Sequence, residues 1–337
     1  DQLSVTATDG QLTLIDQIEA TIYTEGSICV KAYRFFQIIR SLNSETTNLK
    51  FHKQRLNVKG GQAKFNIAEC KNPDEFPPYK PVSTSINISL PNLSLKRLLN
   101  ETVFSIIDQE RTNLNGAHIE IVDEGELPSL RMVTTDGNRL SLSESKFDGD
   151  YASLDQLIQK MLLPKKALQE LLKLCANYGE QEWSISFGQQ ETEFAIEDLK
   201  LSFSLVDGQF PNYKTVFERL TAERRAKVNR KKLSNIFRRV GIFQTKTNSS
   251  VKFSFESDGL ELTMNNVELG DFRESIDVDF EGSPFSISFN INYFQDILTA
   301  VESEYLLLEL KDPMNPCVVK IPNRDDCKFV IMPMRHN

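Results

Sequence analysis

The 337-residue sequence is poor in the residues that usually advertise chemistry: one tryptophan, three histidines and five cysteines. It also lacks any stretch approaching the ~20 consecutive apolar residues of a membrane helix, which argues against a helical membrane protein. Cys29, Cys70, Cys175, Cys317 and Cys327 are odd in number, widely spaced and without a CxxC pair. They read as reduced thiols, packed as small apolar groups in a cytoplasmic protein. None of His52, His118 and His336 lies near a cysteine or another histidine, so spacing offers no zinc site. Catalytic signatures are missing as well: no GxSxG, no HExxH, no GxxxxGK[ST], and no GxGxxG opening a helix. The acidic clusters Asp123-Glu124-Gly125-Glu126 and Asp325-Asp326 fall in turn-like polar stretches and read as solvated loop charge. No enzyme activity, metal or cofactor is expected.

What is present is repetition. Phe76-Pro77-Pro78-Tyr79-Lys80 and Phe210-Pro211-Asn212-Tyr213-Lys214 stand 134 residues apart, each after a turn, and each reads as a segment leaving one domain for the next. Helical spacing appears at Arg34 to Leu42, Leu95 to Val103, Leu168 to Cys175, Leu233 to Val240 and Phe294 to Val301. Period-two alternation marks strands at Trp183–Phe187, Leu201–Leu205, Val251–Phe255, Leu260–Met264 and Phe285–Phe289. Five Asp-Gly pairs, at 9–10, 136–137, 148–149, 207–208 and 258–259, offer tight turns between antiparallel neighbours. Arg34 to Pro164 is 130 residues, and Pro164 to Phe294 is 130 again. The economical reading is an α+β fold of three tandem copies, each with two short helices on antiparallel sheets, at about 1–85, 86–222 and 223–337. The chain opens at Asp1 in a strand-like segment, so the first copy is expected to lack its N-terminal part and leading helix.

Net charge is −8, yet between Ala222 and Val240 eight basic residues meet one acid. At 100° per residue, Leu233, Ile236, Phe237 and Val240 share one helix face, while Lys231, Asn235 and Arg238 share the other, flanked by Arg239. The preceding copy turns Arg97 away from its leucines, and its second helix offers Lys165, Lys166 and Lys173. Recurrent basic helix faces predict one surface that binds phosphates without reading sequence.

Two further stretches carry information. Thr134-Thr135-Asp136-Gly137-Asn138-Arg139-Leu140 sets an arginine just past a tight turn, and Phe329-Val330-Ile331-Met332-Pro333-Met334-Arg335 ends the chain with methionines around a proline, an adaptable apolar lining. Arg131 to Leu140, Leu205 to Tyr213 and Val330 to Arg335 together closely resemble the bacterial DNA polymerase III β subunit, the sliding clamp, and the resemblance covers all three copies. It implies a homodimeric ring of six similar domains whose helices line a hole for duplex DNA. It also implies a non-catalytic processivity factor that tethers the polymerase III α subunit, the clamp loader, other polymerases and repair proteins through short extended peptides.

By that resemblance the peptide pocket is lined by Leu114, Thr135, Gly137, Asn138, Arg139, Leu140, Pro211, Val216, Asn290, Tyr293, Met314, Val330, Ile331, Met332, Pro333, Met334 and Arg335. Leu140, Val216, Val330 and Met332 would bury apolar side chains; Arg139 and the backbone of Met334 and Arg335 would orient the peptide. DNA-facing positions are Arg97, Arg111, Lys165, Lys166, Lys173, Arg230, Lys231, Arg238 and Arg239. The dimer interface would use Arg34, Phe65, Ile242 and Phe243. Thr215, Asn248, Thr112-Asn113 and the His336-Asn337 end depart from some relatives, at the rim of the pocket and at the local DNA contact, where Arg111 is the remaining candidate.

Overall fold

The computed structural model describes every residue except 69, 83–85, 108–113, 124–126, 150–160, 219–220, 246–247, 258 and 335–337. It forms two compact units: Asp1–Ser83 with Glu193–Phe203, and Thr84–Thr192 with Ser204–Asn337.

In the first unit the strands Gln2–Thr8 and Leu12–Glu19 form a hairpin closed at Asp9-Gly10. Gly10 takes φ +91°, a left-handed conformation that costs glycine little, and Asp9 accepts the backbone N–H groups of Gln11 and Leu12. The strand Leu199–Ser204 pairs beside it, Leu201 opposite Leu14. A separate three-stranded sheet, Thr47–His52, Arg55–Gly60 and Ala63–Ile67, turns Leu56, Val58 and Ile67 inward. Helix α1 (Ala32–Ser41) packs Phe35 and Ile38 on that core, as its spacing predicts. The Tyr79 hydroxyl, from the first Phe-Pro-x-Tyr-Lys string, donates to Glu193.

The second unit is organised by one ten-stranded sheet. Its order is Val206–Asp207, Met161–Pro164, Gly116–Val122, Ser129–Thr135, Arg139–Lys146, Arg324–Ile331, Cys317–Ile321, Tyr305–Leu310, Arg224–Asn229 and Asp279–Glu281. Each half contains a three-strand meander, a strand that feeds a helix, and a short outer strand. The halves join through the last strands of their meanders, with Arg139 opposite Ile331 and Leu142 opposite Lys328. Helices α2 (Asn92–Thr102), α3 (Lys165–Cys175), α5 (Arg230–Val240) and α6 (Ile291–Ala300) occupy the predicted places, each entered directly from an extended residue: Pro91, Pro164, Asn229 or Asn290. Strand–helix–three strands is thus a unit that occurs twice between Arg224 and Ile331, a finer repeat than the 130-residue period. A short helix, α4 (Lys214–Glu218), follows the second Phe-Pro-x-Tyr-Lys string and was not expected.

Alternation sorts the two faces of the sheet. Leu306, Leu308, Val319, Cys327, Phe329 and Ile331 enter a core with Leu233, Ile236, Phe237, Phe294 and Ile297 of α5 and α6. In the other half Thr134 donates to the Thr102 carbonyl at the end of α2, and Ser143 donates to Glu101. The helices therefore cover one face. The opposite face, with Leu140, Leu142, Val330 and Lys328, is left for the segment around α4.

Two Asp-Gly pairs differ from the hairpin expectation. Asp148-Gly149 is a two-residue strand paired with Ile88 and Ser89; a Cβ on Gly149 would lie 2.5 Å from the Asn87 carbonyl oxygen, so the glycine serves close backbone approach. Asp207 pairs with Met161 in the sheet instead of closing a hairpin. Asp258 lies outside the described residues. Among the described residues no helix is long and apolar enough to cross a membrane, and no cluster of metal-ligating side chains occurs.

Candidate functional site

The region expected to receive a peptide, called the groove below, begins at the Asp136–Asn138 turn. Gly137 sits at φ +90° with open space at its Cβ position. Asp136 accepts the N–H groups of Asn138 and Arg139 at 2.9 and 3.1 Å, and Thr135 donates to the Arg139 carbonyl at 2.6 Å. The turn and the strand Phe285–Asn290 hold the C-terminal segment: Met332 N–H donates to the Asn138 carbonyl at 2.9 Å and Met334 N–H to the Ser288 carbonyl at 2.7 Å. Leu140 and Val330 pair across the strands and share an apolar cluster with Val133, Leu142 and Tyr213, against which Phe210, Val216 and Phe217 pack. Met314, Met332 and Met334 stay exposed at 61, 41 and 37%. Solvated thioethers beside an apolar floor make an adaptable rim. Pro211 is exposed and Leu114 half-buried, in the irregular segments before α4 and before the Gly116–Val122 strand.

Three expected lining residues behave differently. Ile331 is fully buried in the helix-side core, because alternation after Val330 turns it away from the groove. Arg139 is a strut. Its Nε bonds Asp136 at 2.9 Å, one terminal nitrogen bonds Asp296 at 2.5 Å and the other the Phe104 carbonyl at 2.7 Å. Its guanidinium also lies 4.7 Å from the Tyr293 ring centre, so it ties the turn to α6 rather than offering a free fork to a peptide. The Asn290 side chain caps α6 by accepting from Asn292 N–H. Arg335 lies outside the described residues. Of the departures, Thr215 donates to the Asn212 carbonyl and Asn248 to the Asn265 carbonyl, both local loop contacts.

Behind the groove is a charged network that sequence reasoning missed. Arg131 stands opposite Glu120 on one side and Glu144 on the other, and bonds both, at 2.8 and 2.6 Å. The Tyr213 hydroxyl, from the second Phe-Pro-x-Tyr-Lys string, donates to Glu120 at 2.6 Å; Lys214 lies 3.3 Å and His118 3.8 Å from the same carboxylate. Burial alone would raise the Glu120 carboxyl, but the His118 and Tyr213 side chains and the charges of Lys214 and Arg131 outweigh it and hold the group at about 2. Burial, and then the bond to Glu120, pushes the Tyr213 phenol up. Beside this network lies a cavity of about 200 Å³, bounded by Arg131, Leu142, Glu144, Tyr213, Phe217 and Lys328. Only the strand register, invisible in a single sequence, brings these charges together.

On the helix side the expected phosphate-facing cations divide in two. Lys231, Arg238 and Lys173 project from exposed helix positions, with Lys173 2.8 Å from its own helix neighbour Glu170. Lys166 is exposed on the first turn of α3. Arg97, by contrast, joins α2 to Asp326 at 2.7 Å and to the Glu144 carbonyl at 2.8 Å. Arg230 bonds the Ser303 and Leu298 carbonyls, Lys165 the Ile106 carbonyl, and exposed Arg239 pairs with Glu274. Arg97, Arg230 and Lys165 are thereby committed to the fold, while Arg239 holds an exposed ion pair comparable to that of Lys173. Asp326 is correspondingly no solvated loop acid: burial would raise its carboxyl, but Arg324 and Arg97 lower it. Arg111 lies outside the described residues.

The interface candidates also differ in exposure. Ile242 is 74% exposed beside an edge strand, Gly270–Ile276. Phe243 is half-buried, its ring centre 6.2 Å from that of Phe272. In the first unit Phe65 packs half-buried on the sheet core and Arg34 is exposed on α1.

Residues 1–80, 89–212 and 220–335 match, in order, the family models for the N-terminal, central and C-terminal domains of the DNA polymerase III beta subunit. The beta sliding clamp of Caulobacter vibrioides is 30% identical over 339 residues, covering 99% of this chain and 89% of that protein. That of Vibrio cholerae is 29% identical over 338 residues with the same coverage. A crystal structure of a Bartonella birtlesii sliding clamp bound to griselimycin superposes with a TM-score of 0.90 at 27% identity, covering 99% of this chain and 89% of that one. The three consecutive domain matches, the full-length relatives and the shared fold agree: the chain belongs to the DNA polymerase III beta subunit family, the beta sliding clamps.

Proposed function

We propose that this chain is a non-catalytic, cytoplasmic processivity factor: a homodimeric ring of domains 1–85, 86–222 and 223–337 that encircles duplex DNA and tethers the polymerase III α subunit, the clamp loader and other DNA-processing proteins. The observation that carries the reading is the two-sidedness of the ten-stranded sheet. One face holds helices whose exposed positions include Lys231 and Arg238; the other holds the Leu140–Val330 groove with its methionine rim. Rotatable cations on helices suit phosphates in any sequence, and weak contacts permit sliding. The groove suits an extended peptide carrying apolar anchors. Tethering then acts through effective concentration, because a linked polymerase cannot diffuse away.

The test is retention on nicked circular DNA after loading. Protein should stay on the circle and be lost on linearisation; equal loss from both forms would refute topological binding. Neutralising Lys231 and Arg238 together removes two cations from each protomer and should reduce the salt dependence of DNA association by up to about four counterions per dimeric ring.

A further inference from the structure

The cavity shares Leu142, Tyr213 and Phe217 with the apolar cluster around Leu140 and Val330. Along the Arg139–Lys146 strand, Leu140 and Leu142 face the same side, about 7 Å apart. Leu140 is opposite Val330, whereas Leu142 is opposite Lys328. One step of the pleat thus changes the floor from two apolar side chains to an apolar side chain and an ammonium, with Phe217 as a wall.

The charges here differ in their commitments. Arg131 is held between Glu120 and Glu144, and Lys214 reaches Glu120. Lys328 is half-buried and has no ion-pair partner among the described residues. Its neighbour on the other flanking strand is Lys320, a like charge that pairs with Glu309 at 2.7 Å. Glu218, the remaining acid of the lining, is exposed at the end of α4. A partly desolvated ammonium between an apolar wall and a second lysine gains when an anion arrives.

We propose that this cavity is a specificity subsite for a carboxylate that a groove-bound peptide carries about two residues beyond its apolar anchors, received by Lys328 while Phe217 limits access of water. The inference rests on reading the groove as a peptide site. A glutamate in the peptide would be preferred there, and a lysine would meet like charge.

The test uses synthetic heptapeptides with leucine and phenylalanine anchors, in Glu/Gln pairs placed two residues beyond the anchors on either side in separate peptides, with binding followed by fluorescence anisotropy. On one side, the Glu peptide should bind the unmodified protein about fivefold more tightly than its Gln partner. That ratio should fall to about one in Lys328→Gln, with Gln-peptide affinity unchanged, and persist in Lys328→Arg. Ratios near one on both sides, or a ratio that survives Lys328→Gln, overturn the subsite while leaving the groove reading in place. Failure of every peptide to bind overturns the groove reading and the subsite with it.

Discussion

Replacing Glu120 with glutamine should make the stability of the central domain markedly less dependent on acid pH. The carboxyl is held at about 2 against an ordinary 4.5, which corresponds to ~3 kcal/mol of stability at neutral pH. Its side chain is only 14% exposed, so solvent screening removes little of this. Because the folded value is depressed, the contribution is fully present above 4.5 and is lost as pH falls from there through about 2. Glu120→Gln should therefore be less stable by up to ~3 kcal/mol at pH 7, and the gap should narrow to ~1.5 kcal/mol near pH 3. Urea unfolding followed by tryptophan fluorescence reads the right region: Trp183 is the sole tryptophan, fully buried, and donates to Asn92. A gap below ~1 kcal/mol at pH 7, or one that does not change with pH, would refute the electrostatic account of the network.

Two further outcomes follow from other contacts. Arg324→Met leaves Glu101, 3% exposed, with Arg97 at 3.5 Å as its one remaining cationic partner among the described residues, and should cost ~3 kcal/mol in thermal or urea unfolding; an unchanged transition would show that the pair is dispensable. Ile242→Glu, alone or with Phe243→Glu, should convert the proposed dimer to monomers in sedimentation, and an unchanged dimer would remove these residues from the proposed interface; the single change is the cleaner test, since Ile242 is exposed whereas Phe243 also packs on Phe272.

The sequence by itself determined the local structure and the number of domains. Apolar spacing located helices α1, α2, α3, α5 and α6, and alternation located the strands around Trp183–Phe187, Leu201–Leu205, Val251–Phe255, Leu260–Met264 and Phe285–Phe289 but none of the ten-stranded sheet, because both periodicities arise from backbone geometry within one segment. The Asp136-Gly137 turn was legible for the same reason: it needs a left-handed residue at a known place. Helix α4 was not, since five residues after a proline-containing turn show too little periodicity. Tertiary structure decided which distant residues share a face. The register between Arg139–Lys146 and Arg324–Ile331 buries Ile331, brings Lys328 to the cavity and lets Asp326 engage Arg97. It likewise converts Arg139 and Arg97 from candidate ligand contacts into interdomain ties. A one-residue slip would reverse every one of these assignments, and the register is chosen by core packing between segments nearly two hundred residues apart, on which neither segment alone carries information.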